Sequence, residues 1–246
     1  MIKITYLKNA VDRKLIADNL ERESKHKSSG KLSAGSLWDP LQHQILHSIG
    51  VPKDPLLPYT LAKFKRGNHV EDWLRSVMPN LVEKEKFVEY RNVVGYIDAL
   101  IDMTGWEITK VTGVIPHEIK SVANSQFRWI KKGGYKKSHA LQATLYAMAL
   151  RKDWFVLDYV ASDDYRILSF LVRTDEYEAE VNKIIDAYDK QLLTGTVPVF
   201  EAREKWQENI KYNNYSAFMK LNEVEIENKL KIEYPECYKK LKEGEK

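Results

Sequence analysis

The chain has 246 residues, 43% hydrophobic and 30% charged, and a formal net charge of +4 at pH 7. That length suits one large domain, or one domain with appendages, and is enough to bury a sizeable core. Mean hydropathy is negative, and no run approaches the roughly eighteen apolar residues of a membrane span, which argues against a helical membrane protein. The single cysteine, Cys237, excludes an intrachain disulfide and a Cys-rich zinc site. The first residues, Met1-Ile2-Lys3-Ile4-Thr5-Tyr6, show no apolar signal core, so the expected compartment is the cytoplasm, or host cytoplasm for a phage-encoded chain.

In chain order, residues 2–7 read as a short strand, 12–25 as a helix and 25–30 as a polar loop. Residues 36–49 read as a helix whose apolar face holds Trp38, Leu41, Ile45 and Leu46. The proline-rich 50–58 is a connection. Residues 60–78 read as a helix ended near Pro79. β-Branched runs predict strands at 86–90, 93–101 and 114–122, with Gly105 and Gly113 marking the loop between the last two.

Residues 121–137 carry Arg128, Lys131, Lys132, Lys136 and Lys137 and no acid, interleaved with Phe127, Trp129 and Tyr135. They read as a loop with a mobile tip at Gly133-Gly134. Its basic residues suit phosphates and its aromatic rings suit unstacked bases, although a solvated loop with its rings tucked into the core has the same composition. Ser138 is the expected N-cap of a helix through Arg151. Strands are expected at 154–161 and 165–173, turning at Asp163-Asp164, followed by an amphipathic helix at 176–193 that Gly195–Pro198 breaks. Residues 201–246 read as a helical, Tyr-rich extension with balanced charge. The chain has no repeat, P-loop or dinucleotide fingerprint, so no nucleotide-driven motor is expected.

The chemistry-bearing residues concentrate between Gly95 and Tyr146. Asp98 stands in an apolar strand, Glu118 and Lys120 share one face of the next, and Gln142 and Tyr146 are one helical turn apart. Each alone has an ordinary reading: a strand-end acid, a common charged pair, a helix-surface pair. Together, hard carboxylate oxygens suit Mg²⁺ or Mn²⁺, and a nearby lysine suits a water or a phosphate, which points to metal-assisted phosphodiester cleavage.

Gly-x-x-Asp, then Glu-x-Lys, then Gln-x-x-x-Tyr resembles the PD-(D/E)XK nuclease superfamily, in particular its RecB-like, lambda-exonuclease-like branch, over roughly residues 33–175. Ile97 stands where the superfamily's name has Pro. Gly67-Asn68-His69-Val70-Glu71 resembles the branch's upstream helix motif: four residues on from Gly67 stands Glu71, as in its lambda-exonuclease variant, and His69, about 200° away around a helix and so unable to face the same metal, is the second choice. Leu32-Ser33-Ala34-Gly35-Ser36 resembles its Leu-Ser-x-Ser opening segment with an extra residue.

The resemblance implies an α/β fold, a central mixed β-sheet flanked by helices around a restriction-endonuclease-like core. Residues 1–200 would form the nuclease domain with N-terminal helical elements, and 201–246 a C-terminal helical extension packing on it. It implies a metal site of Glu71 (or His69), Asp98, Glu118 and the Ile119 carbonyl, and a catalytic set of Asp98, Glu118, Lys120, Gln142 and Tyr146. Arg128, Trp129, Lys131, Lys132, Lys136 and Lys137 are expected at DNA. The cofactor would be Mg²⁺ or Mn²⁺, with no iron–sulfur cluster, since the four cysteines that some relatives use are missing. The implied function is a metal-dependent deoxyribonuclease, most simply an exonuclease of recombination, repair or phage DNA processing. Its partners would be DNA with free ends and, beyond that, a second copy of the chain or a recombination protein; no membrane partner is expected. The alternatives are a non-catalytic DNA-binding module on the same fold and a structure- or sequence-specific endonuclease.

Overall fold

A computed structural model describes residues 6–25, 30–106, 111–210 and 213–243. Most of the strand expected at 2–7 and of the polar loop at 25–30 lies outside the described residues. Tyr6 and Leu7, however, already belong to the first helix, α1 (Tyr6–Lys25). The order continues β1 (Leu32–Ser33), α2 (Leu41–Ser48), α3 (Pro58–Val77), β2 (Leu81–Tyr90), β3 (Val93–Asp102), β4 (Val114–Val122), α4 (Asn124–Gly133) and α5 (Lys137–Ala149). It ends β5 (Trp154–Ala161), β6 (Ile167–Arg173), α6 (Asp175–Leu193), α7 (Glu223–Glu233) and α8 (Pro235–Glu243).

The six strands form one mixed sheet, in the order β1-β3-β4-β5-β6 with β2 also on β3. β2 and β6 run antiparallel to their neighbours, whereas β4 and β5 pair in parallel. Helices cover both faces, so the chain has the expected α/β architecture. On one face, Val70 and Leu74 of α3 pack on Ala99, Ile101, Ile115, Ile119, Val156 and Val160. On the other, α4 and α5 meet β4, β5 and β6 through Phe127, Ile130, Ala143, Phe155, Tyr159 and Val172. A third cluster joins α2, α5 and α6 to Tyr215, Phe218, Ile226, Leu230 and Leu241 of the C-terminal segment. Side chains alternate along a strand. Ile115 and Ile119 of β4 face α3, so Glu118 and Lys120 share the parity of Val122 and face α5.

Several elements differ from expectation for local reasons. The helix expected at 36–49 divides into a 3₁₀ turn at Ala34–Ser36 and α2, with Pro40 as the α2 N-cap; Pro40 lacks the N–H needed to continue one helix across the junction. The loop expected at 121–137 is mostly helix, because Phe127 and Ile130, three apart, bury one face of α4. Gly134, expected at a loop tip, instead ends α4: at φ +86° its N–H bonds to the Ile130 carbonyl at 2.9 Å. Ser138 does not cap α5; Lys136 holds that position and Ser138 lies in the first turn. Segment 201–246 is only partly helical, with turns and extended chain before α7.

Gly95 is a glycine for steric reasons. A Cβ there would lie 2.7 Å from the Tyr146 ring and 2.9 Å from Ala34 Cβ. The Tyr146 ring therefore lies directly on the β3 backbone. Gly95→Ala is expected to destabilise the protein by about 1–3 kcal/mol through overpacking. In a Tyr146→Ala background the same change should cost measurably less. Urea unfolding of the four proteins of this cycle checks it; strict additivity would contradict the contact.

Candidate active site

The site begins where two strands part. β2 occupies one edge of β3 along almost its whole length. On the other edge β3 pairs with β4 only from Ala99↔His117 to Asp102↔Val114, and with β1 only at Val93 and Val94. Beyond His117, β4 pairs with β5 alone. The next rung would set Asp98 against Glu118, and there the ladder opens into a fork. Asp98 Oδ2 accepts the Ile119 N–H at 2.7 Å, closing the fork's base with a side chain.

Glu118 is 1% exposed. Its carboxylate pairs with the Lys120 ammonium on the same strand face. Neither Glu118 oxygen has a well-oriented hydrogen-bond donor among the described residues. Glu71, on α3, reaches the same place: its charge is felt by Glu118 and Lys120, and it in turn feels Asp98 and Lys120. His69 is exposed and does not figure among the charges acting on these groups. The structure thus brings Glu71, Asp98, Glu118 and Lys120 together and leaves His69 outside.

The electrostatics follow from burial and crowding. Burial pushes Glu118 up to about 8, with Asp98 adding to it against the pull of Lys120. Burial likewise lifts Glu71 to about 7, and the Asp98 charge adds. Asp98 is raised by burial, although Lys120 and the Ile119 N–H oppose this. Burial disfavours the Lys120 charge, but Glu118 and Asp98 outweigh it and its affinity for the proton rises. Three acids that resist ionisation side by side are a cluster that a cation would relieve. Among the described residues, no three His, Cys, Asp or Glu groups are already set to hold a metal ion. Asp98 is turned to the Ile119 amide and Glu118 to Lys120. The donors are nonetheless hard oxygens, Asp98 and Glu118 on strands and Glu71 on α3, the kind that Mg²⁺ or Mn²⁺ takes.

Gln142 donates to the Tyr146 hydroxyl at 3.0 Å, and that hydroxyl also lies against the Tyr96 backbone amide. Tyr146 is 2% exposed, so the pair braces β3 from inside. Of the basic set, Arg128, Trp129, Lys131 and Lys132 project from α4 into solvent. Lys136 is half-buried, and Lys137 pairs with Glu180 at 2.8 Å and lies over the Trp38 ring.

Sequence reasoning missed four neighbours. Arg75, one turn after Glu71 on α3, bridges Asp72 at 2.6 Å and Glu85 at 3.2 Å, and its charge reaches Glu71 and Asp98. The i,i+4 spacing from Glu71 was its signal. Glu85 stands between the Lys84↔Ala99 and Lys86↔Ile97 pairs of β2 and β3, where its charge reaches Asp98, which no local pattern reveals. His139, one turn before Gln142, bonds through Nδ1 to the Tyr159 hydroxyl at 2.9 Å, and burial with Lys120 nearby pushes it down to about 2. Tyr159 lies beside Lys120 in the β4–β5 register. Behind the site, buried His117 Nδ1 meets Asp158 at 2.7 Å and Ser169 donates to the same carboxylate at 2.5 Å, tying β4, β5 and β6 together.

No protein-family model matches the chain, and no curated protein matches it. Solved structures do. The protein SSO0001 superposes with a TM-score of 0.51 at 17% identity, covering 83% of this chain and 93% of that one. An alkaline exonuclease, LHK-Exo, from Laribacter hongkongensis gives a TM-score of 0.51 at 15% identity, covering 74% of this chain and 93% of that one. LHK-Exo in complex with dAMP also gives 0.51, at 17% identity, over 67% of this chain and 89% of that one. At these identities the likeness is one of fold: this chain shares with these structures an α/β sheet with flanking helices.

The raised acids predict a pH-dependent stability. Native Glu71 holds its proton up to about 7, whereas the unfolded chain releases it near the ordinary carboxylate value, so the metal-free protein loses stability as pH rises between the two. Glu71→Gln removes that loss. In EDTA the variant should melt at least about 3 °C above wild type at pH 8, and the gap should close towards pH 5. Thermal melts at the two pH values check this; a pH-independent difference would contradict it.

Proposed function

We propose that the chain is a divalent-metal-dependent nuclease acting on DNA from a free end. One observation carries this reading: Glu71, Asp98, Glu118 and Lys120 converge at a strand fork, on a fold shared with an alkaline exonuclease. Asp98, Glu118 and Glu71 would hold Mg²⁺ or Mn²⁺, with the Ile119 carbonyl as a further oxygen. Bound there, the metal would neutralise phosphate charge and acidify a water.

The chain's own groups do the rest. Lys120 is flanked by carboxylates that favour its charged form. It acts as a cation and proton donor, orienting the water and stabilising charge on the phosphate, not as a base. Gln142 and Tyr146 hold β3 in place and so position Asp98. Arg128, Lys131 and Lys132 on α4, which starts just after the Glu118–Lys120 strand, present positive charge to the phosphates. Trp129, 57% exposed, offers a ring beside them. Lys136 and Lys137 contribute less, since one is half-buried and the other ion-paired.

With Mg²⁺ or Mn²⁺, the purified protein should degrade linear DNA progressively and spare closed circles of the same sequence. Asp98→Ala and Glu118→Ala should each lower the rate by about 100-fold or more, from loss of ligand oxygens and charge stabilisation. Glu71→Gln should raise the metal concentration needed, and His69→Gln should not. End-labelled and circular substrates with metal or EDTA provide the assay. Full activity of the Asp98 or Glu118 variant would overturn the site, and rapid cutting of circles would turn the reading to an endonuclease.

A further inference from the structure

The β2–β3 ribbon carries an aromatic pair on its outer face. Phe87 and Tyr96 stand opposite each other in the strand register and meet edge to face, ring centres 5.4 Å apart at 62°. They are 52% and 61% exposed. Neither touches another ring among the described residues. Val88 and Ile97, next to the rings in each strand, join the cluster that holds α5, so the rings point to the opposite side, where Glu85 meets Arg75 of α3. The two rings thus stand, away from the fork, on the α3 side of the ribbon, with Asp98 two residues along β3 from Tyr96, about 7 Å.

This pair is held more firmly than exposure suggests. Tyr146 lies on Gly95 and against the Tyr96 amide, so the backbone under one ring is fixed by the brace that fixes Asp98. Arg91, at the hairpin turn, bonds Asp186 at 2.8 Å and Asp189 at 2.7 Å on α6, anchoring the ribbon's far end. The charges around the rings do not make a phosphate site: Lys86 is paired with Glu83 and Lys31 with Glu89. What the ribbon offers is a rigid π-surface one nucleotide's reach from the carboxylate cluster.

We infer that Phe87 and Tyr96 form a stacking platform for a nucleobase of the substrate strand, the base next to the phosphate placed at Asp98 and Glu118. The inference rests on the nuclease reading above. The ribbon and α4 then divide the substrate between them, α4 supplying charge for the backbone and the platform a face for the base. Stacking accepts every base because each has a π-face, so the platform favours an unpaired strand end without reading its sequence.

The test uses the full chain, a single-stranded oligonucleotide with a free end, and Ca²⁺ in place of Mg²⁺ for binding measurements. Phe87→Leu and Tyr96→Leu keep apolar side chains on the strands, and circular dichroism checks that both fold. Each should weaken binding about tenfold and raise KM with little change in kcat, and Tyr96→Phe should restore binding. The slope of log affinity against log salt should stay unchanged, because stacking releases no counterions. An oligonucleotide scanned with a single abasic site should show one position near the cut where wild type loses affinity and Tyr96→Leu does not. Leucine variants that bind and cut like wild type, or abasic losses equal in wild type and variant at every position, would overturn the platform while leaving the nuclease reading intact. A wild-type protein that neither binds nor cuts nucleic acid would overturn both.

Discussion

The parting of β3 and β4 after the Ala99↔His117 rung is the constraint on which the rest of this structure depends. An antiparallel ladder that continued would bury Asp98 and Glu118 against each other and satisfy both backbones. Here the fork leaves the Ile119 N–H without a strand partner on that side, and Asp98 supplies the acceptor. The cost of opening a sheet in its middle is met locally: Tyr146 fills the space over Gly95, and β1 takes up the β3 edge further on. Substitutions at Gly95 or Tyr146 would therefore act on the site through the backbone, without touching its charged groups.

Crowding acids around one lysine costs stability. Glu118 is buried with no well-oriented hydrogen-bond donor among the described residues, and its ionised form is opposed by Asp98 and Glu71. A structure built for stability alone would place an apolar side chain there. Such a cluster is intelligible as a place prepared for a positive ligand, with Lys120 as its internal counter-ion. Arg75 plays the same part at the outer edge, holding Asp72 and Glu85 while its charge tempers Glu71 and Asp98.

Much of the fold was legible because the signals were local. The β-branched runs at β3 and β4, the apolar run of β5 and the stop at Pro79 after α3 each predict their element from short-range chemistry. Helix periodicity sets His69 and Glu71 on different sides of α3, and His69 is exposed whereas Glu71 is partly buried. The failures came where tertiary packing decided. Residues 124–133 looked like a loop because basic and aromatic residues intermix ahead of Gly133-Gly134, but two buried side chains, Phe127 and Ile130, are enough to dock a short helix. Lys137 looked free until Glu180, far along the chain, came beside it. Glu85, His139 and the His117–Asp158–Ser169 chain depend on strand register and helix docking, which a linear sequence does not display.

The central claim is that the fork's carboxylates form one divalent-cation site. Direct titration of Mn²⁺ by electron paramagnetic resonance, in the absence of nucleic acid, tests it without reference to activity. Wild type should bind Mn²⁺ with an affinity that rises with pH as Glu71 and Glu118 lose their protons. Asp98→Asn and Glu118→Gln should each weaken binding about tenfold or more, and His69→Gln should leave it unchanged. Equal Mn²⁺ affinity in wild type and both carboxylate variants would contradict the account.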